Sequence, residues 1–565
     1  MSNTNSPPWI DVEVRHLIRK KYTALKKYRL VKSDARKLKL RTLSKKIKYA
    51  IRRKHSEYLA KIEASFKDNP KLFWSYHKAI LHHRENQSPK ITYNGTTAKT
   101  AAAKAELFNT YFSSVFLPPK SNVSPDVDDN SSPLSTIMQF SDITLGVEEV
   151  EACLHDLDTS KACGPDGIPS RLLKECSQEI APSVCALFNQ SLNIGRIPSE
   201  WKSANVTPIH KKDLRELAEN YRPISLLPIL GKVMKRCICN KFYGHFKQLV
   251  TKLQHGFLRG RLCVTQLPSV LHSIRQCLDK NVQTDVLYLD LAKAFDSVDH
   301  QILLEKLKSY GVTGQLHNWF VDYLKDRSQR VVVDGVASQW APVTSGVPQG
   351  SILGPMLFVV FINDLPDSIP DKTTAALYAD DTKLYRSIVS VADCEDQQQA
   401  LNNLDTWSSV NNLKFNASKC KVLTVTRKRS PILHTYQLGS KELLRVGQEK
   451  DLGVTLTSNL SWDTHINVIV AKSNKLLGLL KRTCPLLTDV KVRRTLYLSL
   501  VKSQVSYATE VWSPVNIHLK SKVEKIQRRA TAWILKSKQG EIPYQQRLIA
   551  LNLLPLCYDR EIKDL

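Results

Sequence analysis

Two adjacent aspartates, Asp380 and Asp381, stand in ALYADDTKLY (376–385) between two apolar, β-prone stretches. Neighbouring carboxylates repel, and in a packed region protons or cations must relieve that repulsion. A third acid, Asp290, closes the β-prone run TDVLYLD (284–290), where the end of a strand leaves it open to a ligand. If the YADD segment (378–381) is a hairpin beside that strand, three carboxylates converge. An all-oxygen ligand set suits Mg2+, with Mn2+ able to substitute. Two such ions about 4 Å apart activate an attacking hydroxyl and stabilise a leaving pyrophosphate, so the chemistry expected is nucleotidyl transfer. Taken singly these signals are weak. A lone Asp-Asp is more often a solvated turn, and Asp290 with Asp296 could flank an ordinary exposed helix start.

The elements that must hold these acids are mixed. DVLYLDLA (285–292) and RVVVDG (330–335) read as strands, as does the alternating end of LKFNASKCKVLTVT (413–426). TLGVEEVEACLHDL (144–157) reads as a helix capped by Thr144. An all-α fold is excluded. LPPKSNVSPDVDDNSSPLST (117–136) is rich in Pro, Ser, Asn and Asp and lacks periodicity, so it reads as a linker with a domain boundary near 140.

Charge narrows the partner. The 565 residues carry 82 Lys+Arg against 53 Asp+Glu, a formal net charge of +29, which favours a polyanion such as nucleic acid. Residues 1–60 hold 18 basic and 4 acidic side chains and residues 471–540 hold 15 and 3, so two basic flanks bracket a nearly neutral middle. In the first flank Leu17, Tyr22, Leu25 and Leu30 recur at helical intervals, the pattern of basic amphipathic helices. In the second, Val523, Ile526, Ala530 and Trp533 line one helical face while Lys525, Arg528 and Arg529 project elsewhere, suited to phosphate. Phe73, Trp74 and Tyr76 at helical spacing read first as core and second as a stacking surface for bases. No run of about 18 apolar residues exists to span a membrane, and no apolar signal region opens the chain. Twelve scattered cysteines with no C-x-x-C pair read as reduced thiols, so the expected location is intracellular, nuclear or cytoplasmic, and not secreted.

The order of motifs outweighs any one of them. GPDGIP (164–169), WKSANVTPIHKKD (201–213), ENYRPISLL (219–227), QHGFLRGR (254–261), LDLAKAFDSV (289–298), SGVPQGSILGPMLF (345–358), YADD (378–381), LKFNASKC (413–420) and DLGVTL (451–456) follow one another. This series resembles the reverse transcriptases of non-LTR (LINE-type) retrotransposons, close to the jockey-like elements, over about residues 145–460. NPKLFW (69–74), YATEVWSP (507–514) and EKIQRRAT (524–531) extend the likeness loosely to both flanks.

The resemblance implies an α+β right-hand polymerase with a ferredoxin-like palm sheet. It divides the chain into a basic helical extension (1–116), a linker (117–140), mainly fingers (141–270), mainly palm (271–460) and a helical thumb region (461–565). It implies RNA template and DNA primer or target as partners, with dNTP substrates. Residue by residue, Asp290, Asp380 and Asp381 match the metal-binding carboxylates, and Phe295 the ring that excludes a 2′-OH. Arg222, stiffened by Pro223, matches the cation on the incoming triphosphate, with Lys211 or Lys212 as the second. Gln349 and Gly350 match the segment beside the nascent base pair, and Lys419 a lysine that protonates pyrophosphate. Leu452 and Gly453 match the primer grip, and Arg528 and Arg529 face nucleic acid.

The chain departs from that pattern in places. Leu262 stands where a small hydroxyl residue is common, and Asp451 precedes Leu-Gly where an aromatic is also common. Such elements usually carry an endonuclease upstream, whereas Met1 opens directly in the basic region, as a truncated copy or a fragment would. Two readings follow: an active RNA-directed DNA polymerase, or a truncated or co-opted RNA/DNA-binding protein that keeps the grip without turnover. An RNA-templated RNA polymerase is disfavoured by Phe295.

Overall fold

The computed structural model describes residues 7–66, 69–81, 89–118, 139–485, 487–538 and 540–564, so most of the expected linker, 119–138, lies outside the described residues. The chain divides into two compact units, residues 89–460, and residues 1–88 together with 461–565. The stretch expected as one extension, 1–116, is therefore shared between them.

In residues 89–460 the strands that build the site are β1 (Ser203–His210), β2 (Tyr221–Leu226), β3 (Gln283–Asp290), β4 (Arg327–Val333), β5 (Thr374–Tyr378), β6 (Asp381–Ile388), β7 (Lys421–Val425), β8 (Leu444–Arg445), β9 (Gln448–Asp451) and β10 (Val454–Thr457). One sheet runs β8–β7–β3–β6–β5. β3 pairs antiparallel with both β6 and β7, and β6 pairs antiparallel with β5. Taking β3, β5, β6 and β7 as first to fourth, the spatial order is 4-1-3-2, with helices in the first-to-second and third-to-fourth connections. That is the ferredoxin-like βαββαβ arrangement. β3 reads as a continuous apolar run because it is central. Val286, Leu287 and Leu289 are all buried. The helix Gly354–Phe361, apolar on every side with the half-buried Pro355 in its first turn, is otherwise buried in the same core.

A second sheet joins β1 antiparallel to β2 and parallel to β4. β4 lies inside the span expected as palm, yet it belongs to this sheet. A strand between two helices can serve either sheet, and only tertiary pairing decides. The helix Ala101–Ser113, capped by Thr100, covers this sheet with Leu107, Phe108, Tyr111 and Phe112. The helix expected to start at Thr144 starts instead after Gly146, whose N–H donates to Glu149 Oε2 at 3.0 Å.

In the other unit, the helices Val12–Leu30 and Asp34–Ser65 pack together through Val14, Ile47 and Ala50. The expected stripe is only half right, because Tyr22 and Leu30 are exposed. Phe73 and Tyr76 are core, as the first reading had it, while Trp74 is 48% exposed. Tyr76 donates its hydroxyl to the Thr483 carbonyl at 2.6 Å, and Glu63 accepts the Asp489 N–H at 3.0 Å, which ties the first helices to the last segment of the chain. Along Ile517–Ile534, Val523, Ile526 and Ala530 are buried while Lys525, Arg528 and Arg529 face solvent. Trp533 is half-buried. Arg528 lies over the Tyr544 ring at 5.0 Å, and Arg529 donates to Asn474 at 3.2 Å.

Candidate active site

The YADD segment is the two-residue turn between β5 and β6. Asp381, the first residue of β6, pairs in register with Tyr378 on one side and with Asp290, the last residue of β3, on the other. Ala379 and Asp380 form the turn, and Ala379 takes φ +55°, a left-handed conformation costing roughly 1–2 kcal/mol for a residue with a Cβ. The QHG segment offsets that strain. Gln254 Oε1 accepts the N–H of Ala379 at 2.9 Å and of Gly256 at 2.6 Å. The His255 N–H donates to the Leu377 carbonyl at 2.8 Å. Gly256 packs so closely that a Cβ there would lie 2.2 Å from Ala379 N.

The three carboxylates act on one another. Asp381 is pushed up to about 6 by burial, then by the Asp380 and Asp290 charges. Asp380 is also raised, chiefly by burial and then by Asp290, and Lys211 and Arg222 oppose the shift. Lys211 is held below the usual lysine range by burial and by Arg222 and Lys419, with Asp290 opposing. Lys211 thus bears on Asp380 through its charge, whereas Lys212 lines the cavity that holds Asp290 and Asp381 and has Asp213 at 3.9 Å. The LKFNASKC loop wraps the end of β3: Asn416 N–H donates to the Asp290 carbonyl at 2.7 Å, and Lys419 Nζ donates to Asp290 Oδ2 at 3.1 Å. Asp290, Asp381, Lys419 and Leu452 line one cavity of about 330 Å3.

Among the described residues, no group of three or more His, Cys, Asp or Glu side chains stands close enough to hold a metal ion. The donor set nevertheless fits a divalent cation. It consists of carboxylates alone, on register-paired strand ends, and burial followed by their mutual repulsion raises proton affinity at Asp380 and Asp381.

Phe295 is fixed in place. Its ring stacks on Phe358 at 4.5 Å and meets Phe257 edge-on at 5.9 Å, and its carbonyl accepts the Val347 N–H. Gln349 donates from Nε2 to both oxygens of Asp296, at 2.9 and 3.0 Å, and its carbonyl accepts the Ser225 N–H at 2.8 Å, tying the Gly-Val-Pro-Gln-Gly loop to β2. Gly350 follows with φ +102°. Asp296 is pushed up to about 6 by burial, against the Gln349 hydrogen bond and Lys293. Asp296 had no such role in the sequence reading; its place directly after Phe295 was the available signal. Leu452 and Gly453 form the turn between β9 and β10, with φ +43° and +94°, the double-positive pattern of a type I′ hairpin. Arg528 and Arg529 lie in the other unit.

A ferredoxin-like palm with carboxylates at the ends of its two central strands defines the class of right-hand nucleic-acid polymerases. Residues 209–478 match the family described as reverse transcriptase (RNA-dependent DNA polymerase). The chain is 31% identical over 390 residues to the RNA-directed DNA polymerase from mobile element jockey of Drosophila melanogaster, covering 66% of this chain and 42% of that protein. It is 28% identical over 480 residues to the probable RNA-directed DNA polymerase from transposon BS of the same species, covering 81% and 52%. The chain thus spans about half the length of the curated relatives it matches. A solved telomerase from Candida albicans, in complex with a TWJ fragment of telomeric RNA, is 11% identical with a TM-score of 0.34, covering 69% of this chain and 71% of that one, too slight a likeness to carry weight. Residues 209–478 thus carry a reverse transcriptase domain, and the relatives matched are RNA-directed DNA polymerases of mobile elements, jockey among them. That family works with divalent cations and RNA templates. Among the described residues no helix is long and apolar enough to cross a membrane.

Proposed function

We propose that this chain is an RNA-directed DNA polymerase that extends a primer 3′-OH on an RNA template. The observation that carries the reading is the register pairing of Asp290 with Asp381, beside Asp380, on adjacent strand ends of the palm sheet. In this reading Asp290, Asp380 and Asp381 hold two Mg2+ ions, or Mn2+ in their place. When bound, the ions supply Lewis-acid stabilisation of the attacking and leaving oxygens. The chain's own groups do the rest. Arg222 and Lys211 bind the triphosphate, and their positive charge bears on the cleft from β2 and the end of β1. Phe295, held by Phe358 and Phe257, blocks the space a ribose 2′-OH would fill. Asp296 orients the Gln349 amide, which then presents its carbonyl oxygen beside the nascent pair. Lys419 Nζ, 3.1 Å from Asp290, holds the proton that leaves with pyrophosphate. Leu452 and Gly453 bring backbone to the primer end.

We further read residues 141–270 with β4 as mainly fingers, the remainder of 271–460 as mainly palm, and 461–565 as thumb. Arg528, Arg529 and the basic helices of 12–65 contact the phosphates of the hybrid, wherever in nucleus or cytoplasm the template is met.

Primer extension tests this. The full chain is given poly(rA)/oligo(dT), dTTP and Mg2+ beside an Asp380→Asn, Asp381→Asn double variant. Extension by the wild type alone supports the reading. Hybrid binding without extension by either protein refutes it in favour of a binding remnant.

A further inference from the structure

Two rows of side chains cross the palm sheet on one face. Strand alternation puts Asp381 and Lys383 of β6 on the same face, as it does Asp290 and Tyr288 of β3. The register aligns Asp381 with Asp290 in one row, and Lys383, Tyr288 and Lys421 in the next. The second row lies about 7 Å along the strands from the first.

The β9–β10 hairpin sits over this second row. Among the described residues it is a two-stranded sheet of its own, with no strand ladder to the palm sheet. At its root, Thr426 donates to the Ser458 carbonyl and Ser458 to the Gly447 carbonyl. Its own Val454 and Leu456, on β10, are buried. Neither device fixes where its turn lies along the sheet. Two acids of β9, alternate residues on one face, do that. Glu449 accepts from Lys421 Nζ at 2.7 Å, and Asp451 accepts from Lys383 Nζ with both oxygens at 2.6 Å. The Lys383–Asp451 side chains are only 4% and 5% exposed. Asp451 directly precedes the Leu452-Gly453 turn, and both ion pairs line the cavity that holds Asp290 and Asp381.

A buried ion pair adds little net stability over apolar groups of like volume; its best-attested use is to fix register. We infer that Lys383 and Asp451 are positioning residues: their ion pair seats the turn of the β9–β10 hairpin one row from the acids of the YADD strand, and so places the primer end. The extension arm below rests on the polymerase reading; the crosslinking arm does not.

The test uses the full chain and Lys383→Met, Asp451→Leu together, which removes both charges and leaves no ammonium or carboxylate buried alone. A primer ending in 4-thiothymidine on poly(rA) is photocrosslinked, and the modified peptide identified. In the wild type the crosslink falls within 448–457. In the double variant it drops about tenfold, while hybrid affinity stays within about twofold, because affinity comes mainly from phosphate contacts. Extension at saturating dTTP drops by about tenfold or more with the KM for dTTP within about twofold, since only one reactant is misplaced. Loss of the hairpin crosslink supports the proposal even if the wild type proves unable to extend, a result that would tell against the polymerase reading alone. An undiminished crosslink in the folded variant, a wild-type crosslink outside 448–457, or an active wild type matched by an equally active variant overturns it. Should the double variant fail to fold, Asp451→Glu, which keeps the charge one methylene longer, replaces it. The expectation is then a displaced crosslink and slowed extension at unchanged hybrid affinity, and wild-type behaviour overturns the proposal.

Discussion

Gly256→Ala is the sharpest perturbation of the catalytic turn that leaves every candidate catalytic group in place. The added Cβ would lie 2.2 Å from Ala379 N and 2.9 Å from its Cα and Cβ, where real Cβ contacts essentially never fall below 3.0 Å. Both partners are backbone or stubby, so no flexible side chain can swing away. The turn bearing Asp380, or the QHG segment, must move by about 1 Å, and a shift of that size at a reacting centre costs on the order of 10²-fold in rate. Through transition-state arithmetic that is about 2.7 kcal/mol. The move also strains the Ala379 and Gly256 hydrogen bonds to Gln254, each contributing about 1 kcal/mol to holding the turn. Steady-state extension on poly(rA)/oligo(dT) is the assay. The expected outcome is kcat down about 10²-fold with hybrid affinity unchanged, since no phosphate-facing cation is touched. Adding Ala379→Gly relieves the 2.9 Å contact with Ala379 Cβ and the left-handed strain but not the 2.2 Å contact, so recovery should be partial. A Gly256→Ala protein extending within about threefold of wild type would refute the claim that residue 256 sets the position of the acids.

Phe295→Ala is expected to narrow the preference for dTTP over UTP by roughly tenfold or more, read from competing single-nucleotide extensions, because the ring it removes is stacked in place rather than loose. Because burial and like charge keep Asp381 protonated up to about pH 6, the Mg2+ needed for half-maximal extension should rise as pH falls below that point, by up to ~10-fold per unit, and be flat above it. A midpoint near 4 would show the carboxylates do not crowd one another. Lys235 is buried with no hydrogen-bond partner for Nζ among the described residues, 4.9 Å over the Tyr323 ring whose surroundings also hold Arg327, and burial drives its pKa well below the lysine range. The unfolded chain therefore binds the extra proton between the depressed value and 10.5, and wild-type stability rises with pH across that window. Lys235→Met should stabilise by about 1–4 kcal/mol at pH 7, with the gain shrinking by pH 10 in thermal unfolding; an unchanged transition temperature at pH 7 would sink that account.

What the sequence made legible was local. A strand ending on Asp290 follows from local residue pattern, and a hairpin at YADD was a conditional reading of the same kind, whereas the Leu452-Gly453 hairpin came from the family resemblance. The ordered motifs then supplied which of those elements meet. What stayed hidden spans the chain: Gln254 to Ala379 over 125 residues, Tyr76 to Thr483 over 407. The stripe drawn through Tyr22 and Leu30 failed for a different reason. Helix Val12–Leu30 is so polar that its partner covers only part of the apolar face, and spacing alone does not say which part. Asp451 is the most instructive miss. It marks a departure from the family pattern, and a departure is best questioned through what the new group requires. A carboxylate beside a tight turn must be solvated or paired, and if it is buried it must find a cation. Lys383 lies two residues beyond Asp381, on the same face of a strand whose neighbours are apolar, and it has the same need. Two buried charges of opposite sign that each lack a local partner are a reason to expect that they meet. Here that expectation joins the hairpin turn to the catalytic strand.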